Sequence, residues 1–210
     1  MKKTDLFKDR RDFFSKLFLT GTGSLAFLSL SGCNSSDSTD PTNAEDASST
    51  PSTTDSVTGD LTDKQKDELF FIYQEEKLAR DVYITLGNLY EEAQTNTFAS
   101  IQKSEQRHID AAQMLCEKYG IDISEVNEDE VGNFVLPVLQ QYYDELVAQG
   151  SISLLEAYKV GVFIEELDIH DITHAIEDLG MPEDVISVYT NLREGSYNHL
   201  EAYETAIEKY

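Results

Sequence analysis

Beyond residue 60 the apolar residues of this chain recur at the three-to-four-residue spacing of helices, and no segment shows the two-residue alternation of a half-buried strand. In the first such segment Leu69, Ile72, Tyr73, Val82, Tyr83 and Leu86 share a face. Thr62-x-x-Gln65 ahead of it is a capping-box pattern, and Gly87 is placed to end or weaken it. A second helix is expected from Phe98 to Tyr119, stopped by Gly120, because glycine accepts the left-handed conformation just past a helix end. Next come an acidic loop, Asp122 to Glu130, and a short helix, Leu136 to Ala148, with Pro137 in its first turn. Ser151 is the expected N-cap of a third long helix reaching Leu179. Pro182 opens a fourth that runs toward Tyr210. The first and last links are short and the middle one long. Residues 61–210 are therefore expected to form an all-α domain of four long helices, with one long crossover between the second and third.

Polar residues sit on the inner faces of all four helices. In Ser104-Glu105-Gln106-Arg107-His108, Glu105 and His108 are one turn apart and reach the same point beside the helix. Glu-x-x-His projecting into a bundle is the ligand pair of ferritin-like di-metal carboxylate proteins, whose connectivity also has one long crossover. The plainer explanation is a surface pair, since this spacing is common. Glu76 shares the apolar stripe of the first helix; a buried carboxylate there is costly unless paired or metal-bound, and Arg80 or Arg107 are candidate salt-bridge partners. Glu75 lies nearer the stripe's edge. On the third helix Glu165 falls on the face of Tyr158, Gly161 and Ile172, with Asp168 one turn on; an acidic collar on an exposed helix is the alternative. His199 shares a face with Val188, Leu192, Ser196 and Tyr203, where a hydrogen-bonded core histidine is the alternative. At about 1.5 Å per residue, Glu165 and His199 lie roughly 21 and 26 Å from the turn that joins their helices. Glu76 reaches the level of Glu105 if the first helix ends near Gly87.

Other features carry less. His170 and His174 are at the i,i+4 spacing that can bind zinc, but only Asp171 is near as a third ligand. Cys116 reads as a reduced core thiol. The acidic loop lacks the glycine and spacing of a calcium loop and reads as solvated. Tyr73, Tyr83, Tyr158 and Tyr203 fall on inner faces, where packing explains them.

The start of the chain has a different character. Residues 1–32 combine a basic opening with an apolar run, Leu17 to Leu30, too short to span a bilayer of about 30 Å. Asp9-Arg10-Arg11-Asp12-Phe13-Phe14-Ser15-Lys16 resembles the twin-arginine export motif. Leu30-Ser31-Gly32-Cys33 resembles a bacterial lipobox. The resemblance implies cleavage before Cys33, lipid on its thiol and attachment to a membrane of the cell envelope, periplasmic or outer surface. Residues 33–60 are rich in Ser, Thr, Asp and Pro and are expected to be a disordered tether. Residues 1–33 hold six basic and three acidic side chains, so the formal net charge of −24 arises beyond them. Such a surface repels phosphate backbones and disfavours nucleic acid as a partner.

Four motifs in order, Glu75-Glu76-Lys77-Leu78-Ala79-Arg80-Asp81-Val82-Tyr83, Ser104-Glu105-Gln106-Arg107-His108, Glu165-Glu166-Leu167-Asp168-Ile169 and Gly195-Ser196-x-Asn198-His199-Leu200, resemble a ferritin-like bacterial and archaeal family called "domain of unknown function 2202". The resemblance covers about residues 61–210. It implies a ferritin-like four-helix bundle and places Glu76, Glu105, His108 and Glu165 at metal-ligand positions, without implying a reaction. The fourth helix departs from the di-iron pattern. Ser196 stands where a glutamate would precede His199, and Asp168 is the candidate to supply that carboxylate. Carboxylates with imidazole suit one or two iron or manganese ions, and zinc can occupy such a site. The expected function is then an envelope-anchored metal protein, with ferrous-ion oxidation or reduction of oxygen or peroxide by analogy only. The alternatives are a non-catalytic lipoprotein domain holding a salt-bridge network, and a metal storage or scavenging module.

Overall fold

A computed structural model describes residues 60–90 and 97–210. The described residues form five α-helices and no strand: α1 (Asp63–Leu89), α2 (Phe98–Lys118), α3 (Pro137–Gly150), α4 (Leu154–Asp178) and α5 (Glu183–Glu208). Helix α1 packs on α2, α4 and α3; α4 packs on α5 and α3; α5 packs on α2. No Cα atoms of α1 and α5, or of α2 and α4, come within 8 Å; these helices face each other across the core, where Tyr83 meets Tyr203 and Phe98 stacks on Tyr158. The four long helices thus follow one another in the spatial order α1, α2, α5, α4, and α3 covers α1 and α4.

The helix ends are set by local chemistry. Thr62 and Gln65 form the capping box: the Gln65 amide donates to Thr62 Oγ1 at 3.3 Å, and Gln65 Oε1 accepts from the Thr62 amide at 2.9 Å. The Gln65 side-chain Nε2 donates to the carbonyls of Leu179 and Gly180, tying the start of α1 to the end of α4. Gly120 takes φ +65, and the amide of Ile121 reaches back to Cys116 O at 2.8 Å, closing α2. Pro137 occupies the first turn of α3, where its missing N–H leaves no bond unmade. The cap of α4 is Ser153, whose hydroxyl accepts from the Glu156 amide, rather than Ser151. Ser151 instead caps the end of α3 and donates to Val147 O at 2.6 Å. Gly87 does not end α1, which runs on to Leu89; it leaves room for Phe98, whose Cβ would lie 3.1 Å from a Cβ at 87.

Every residue of α1 from Phe71 to Tyr83 is buried, so this helix has no solvent face at mid-length. Its inner side carries the expected apolar stripe. Its outer side carries Lys77, Arg80 and Asp81, covered by the segment between α2 and α3. The Lys77 ammonium donates to Asp81 Oδ2 (2.6 Å) and to the carbonyls of Glu130 (2.9 Å) and Asn133 (3.2 Å), with Phe134 across it. Arg80 holds Asp81 Oδ1 and Glu128 O, and Tyr73 donates to the Glu128 carboxylate at 2.6 Å. The acidic loop is therefore pinned to α1 rather than merely solvated. A buried ammonium and guanidinium must find acceptors, and the loop's backbone carbonyls supply them.

The twin arginines Arg10 and Arg11, Cys33 and the expected tether up to residue 59 lie outside the described residues. Among the described residues no helix is long and apolar enough to cross a membrane.

Candidate metal centre

The four long helices each send an ionisable side chain to one buried point. Glu76 comes from α1, Glu105 and His108 from α2, Glu165 and Asp168 from α4, and His199 from α5. All six are buried, none more than 7% exposed. Glu105 is the hub. Its Oε2 lies 3.0 Å from His108 Nδ1, and its Oε1 lies 2.8 Å from His199 Nδ1 without the alignment of a hydrogen bond. His108 Nδ1 also lies 3.2 Å from Glu76 Oε2, and His199 Nδ1 lies 3.5 Å from Glu165 Oε2. The two imidazoles stack with centroids 5.3 Å apart.

Neighbours hold the carboxylates in place. The Tyr83 hydroxyl donates to Glu165 Oε1 at 2.5 Å. The Ser196 hydroxyl donates to Asp168 Oδ2 and also to Leu192 O at 3.1 Å. Serine thus fills the place of the absent glutamate by holding an aspartate from the next helix. The carboxylates set against His199 are Glu105 and Glu165, so Glu165 takes the place expected for Asp168. The expected partners of Glu76 also differ. Arg80 turns to Asp81 and Gln106, and Arg107 to Ser104, leaving Glu76 to His108.

Burial in a low dielectric opposes every charge here, and close pairs decide which charges persist. For Glu105 burial alone would raise the pKa, but His108 and His199 outweigh it and bring the pKa down to about 2. Burial works to discharge His108 and His199, yet the carboxylates raise them to about 11 and about 10. Glu165 is pushed up to about 8, by burial first and then by Glu105. Glu76 and Asp168 are raised by burial, eased respectively by His108 and by Ser196.

One donor atom each from Glu105, His108 and His199 lie within 4.8 Å of one another. Three ligands around a single ion at about 2.0–2.2 Å lie up to about 4.4 Å apart, close to that limit. Glu76 Oε1 and Asp168 Oδ1 are buried with no hydrogen-bond partner, a costly state for a carboxylate oxygen unless a cation or proton meets it. The buried Glu/His/His group therefore has the donors, spacing and enclosure to hold a metal ion. His170 and His174 are not brought together in this way. Each pairs at 2.8 Å with its own carboxylate, Asp171 and Asp178. Cys116 is a buried free thiol, its pKa pushed up to about 12 by burial, and it contacts Leu69 O. Of the inner tyrosines, Tyr83 alone hydrogen-bonds a residue of the centre; Tyr73 turns to Glu128 in the acidic loop.

Three pairings, two in the site and one on the outer side of α1, were not read from sequence. The Tyr83 bond to Glu165 and the Ser196 bond to Asp168 join different helices and leave no local signal. The Lys77–Asp81 pair does leave one, at i,i+4, but a solvated pair has the same spacing.

A family model described as an uncharacterized protein domain, DUF2202, matches residues 65–210. The uncharacterized protein MJ0754 of Methanocaldococcus jannaschii is 40% identical over 150 residues, which cover 71% of this chain and 78% of that protein. The crystal structure of the hypothetical protein MJ0754 from Methanococcus jannaschii DSM 2661 is similar with a TM-score of 0.68 at 38% identity, over 78% of this chain and 87% of the other. Matched over residues 65–210, this chain belongs to the family described as the uncharacterized protein domain DUF2202.

Proposed function

We propose that this chain is a ferritin-like protein that binds one or two iron or manganese ions within a bundle of α1, α2, α4 and α5, closed by the long crossover that contains α3. The observation that carries the reading is Glu105, a buried carboxylate lying between two imidazoles from different helices. Glu105, His108 and His199 form the first ligand set. Glu76 stands on the His108 side and Glu165 on the His199 side, so a second ion would share Glu105. Asp168 is held close by Ser196 as a further acceptor. Mixed carboxylate and imidazole donors suit iron and manganese, and zinc can compete. An iron or manganese ion would supply one-electron exchange with oxygen or peroxide. The protein's own part is to bury the donors, fix them from four helices and give up the histidine protons as an ion enters. Ferrous-ion oxidation, or reduction of oxygen or peroxide, is the reaction class proposed, by analogy. The Cys33 lipid anchor would place the domain at a membrane of the cell envelope.

A second reading is a metal-free salt-bridge network, favoured by the pairing of two charged imidazoles with the buried carboxylates. Elemental analysis of protein purified without added metal separates the two. The metal reading expects one or two iron or manganese ions per chain, largely lost in His108→Ala; metal-free protein would favour the network. Multiple turnovers of ferrous oxidation, against uptake that stops at the bound stoichiometry, separate catalysis from storage.

A further inference from the structure

Only proline is a poorer helix former than glycine, yet Gly195 stands in the middle of α5, one residue before Ser196 and four before His199. What faces it is His108. A Cβ at position 195 would lie 2.4 Å from His108 Nε2 and 2.7 Å from Cε1, far inside van der Waals contact. The other crowded glycines face different things. Gly161 meets the ring of Tyr203, and Gly150 meets the methyls of Leu86. Gly195 alone among the described glycines abuts a donor imidazole.

That imidazole has little room to yield. Its other nitrogen, Nδ1, lies 3.2 Å from Glu76 Oε2 and 3.0 Å from Glu105 Oε2. Its face is stacked on His199. A side chain at 195 forces one of two changes. Either the His108 ring leaves its staggered well and Nδ1 swings off both carboxylates, or α5 backs away from α2 and carries His199 off Glu105. Each change separates the three donors that now converge.

We infer that Gly195 is a positioning residue of the centre: the missing side chain lets the His108 ring lodge against α5 with Nδ1 aimed at Glu76 and Glu105. This rests on the metal-binding function proposed above. The helix tolerates its glycine because the closeness of two helices at the donors depends on it.

The test uses cobalt(II), whose visible spectrum reports the number and geometry of donors. Gly195→Ala should weaken cobalt affinity at least tenfold and change the ligand-field bands. In the metal-free protein it should move the ring 15N resonances of His108 while leaving those of His170 and His174 in place. Gly150→Ala, which crowds Leu86, should lower the melting temperature and keep the wild-type cobalt spectrum. If Gly195→Ala does not fold, the double variant His108→Ala/Gly195→Ala decides. With the ring gone the alanine has space, so the double variant should melt no lower than His108→Ala alone. Wild-type cobalt binding and unmoved His108 resonances in Gly195→Ala overturn the inference, as does a double variant less stable than His108→Ala. Absence of cobalt uptake by the wild-type protein overturns the metal-binding function and the positioning role with it.

Discussion

Replacing Glu105 by glutamine keeps its shape and removes the one anion that touches both imidazoles. Glu105 Oε2 and Oε1 lie 3.0 and 2.8 Å from the Nδ1 atoms of His108 and His199. With Glu76 its charge holds His108 protonated, and with Glu165 it holds His199 protonated, while the rings stack at 5.3 Å. A neutral amide leaves two neighbouring imidazolium ions without the anion between them, or forces one to release its proton into a buried site. Removing one partner of a buried ion pair costs about 3–5 kcal/mol. In a helical domain of this size each kcal/mol moves the melting temperature by about 2–4 °C, so Glu105→Gln should lower it by roughly 6–20 °C. The assay is thermal unfolding followed by circular dichroism, in excess chelator near neutral pH. A parallel NMR titration should show the pKa values of His108 and His199 falling toward the ordinary imidazole range. A melting temperature within about 2 °C of the parent, with both histidine pKa values unchanged, would refute the hub role of Glu105.

The remaining predictions concern pH, the crossover and the chain's start. Metal uptake should strengthen from about pH 6 to 8, because an entering ion must displace protons from His108 and His199, raised to about 11 and about 10; calorimetry in two buffers of different ionisation enthalpy would count the protons, and pH-independent uptake would oppose this. The metal-free protein should be most stable between about pH 4.5 and 6.5. The histidine contribution is complete below 6.5 and lost as pH rises toward 10 and 11, and that of Glu105 is complete above 4.5 and lost as pH falls toward 2. Glu165, raised to about 8, adds a penalty that grows from pH 4.5 to 8. Lys77→Met should cost about 3 kcal/mol, the low end for a broken buried pair because Arg80 still holds Asp81. It should also speed amide exchange in residues 128–133 while sparing metal content; unchanged exchange there would show that Lys77 does not pin the loop. Cys33→Ala should release the protein from membranes, and Arg10→Lys with Arg11→Lys should block export, each read by cell fractionation.

The helices were legible because their signals are local. The Thr62–Gln65 box, Gly120 past α2 and Pro137 opening α3 each act within a few residues, and each has its expected role. The Glu105 and His108 pair was legible for the same reason: one helical turn brings the two together. What could not be read were choices between helices. Ser196 could be seen to lack a carboxylate, but not to hold Asp168, and nothing local showed that Glu165 would stand beside His199. Ser151 and Ser153 are both good caps, and packing of α3 on α1 and α4 gave each an end to close. Glu75 was expected at the stripe's edge and is buried, because α1 is enclosed by α2, α3 and α4 at once. Amphipathic periodicity describes a helix with one wet face, and at mid-length α1 has none.

Metal occupancy at Glu105 is most directly tested by anomalous diffraction from crystals of protein purified without added metal, with data on both sides of the iron and manganese absorption edges. The expected result is an edge-dependent peak about 2.0–2.3 Å from the donor atoms of Glu105, His108 and His199, absent in crystals of His108→Ala/His199→Ala. A wild-type map with no peak among these side chains, or with its peaks on the acidic surface, would contradict it.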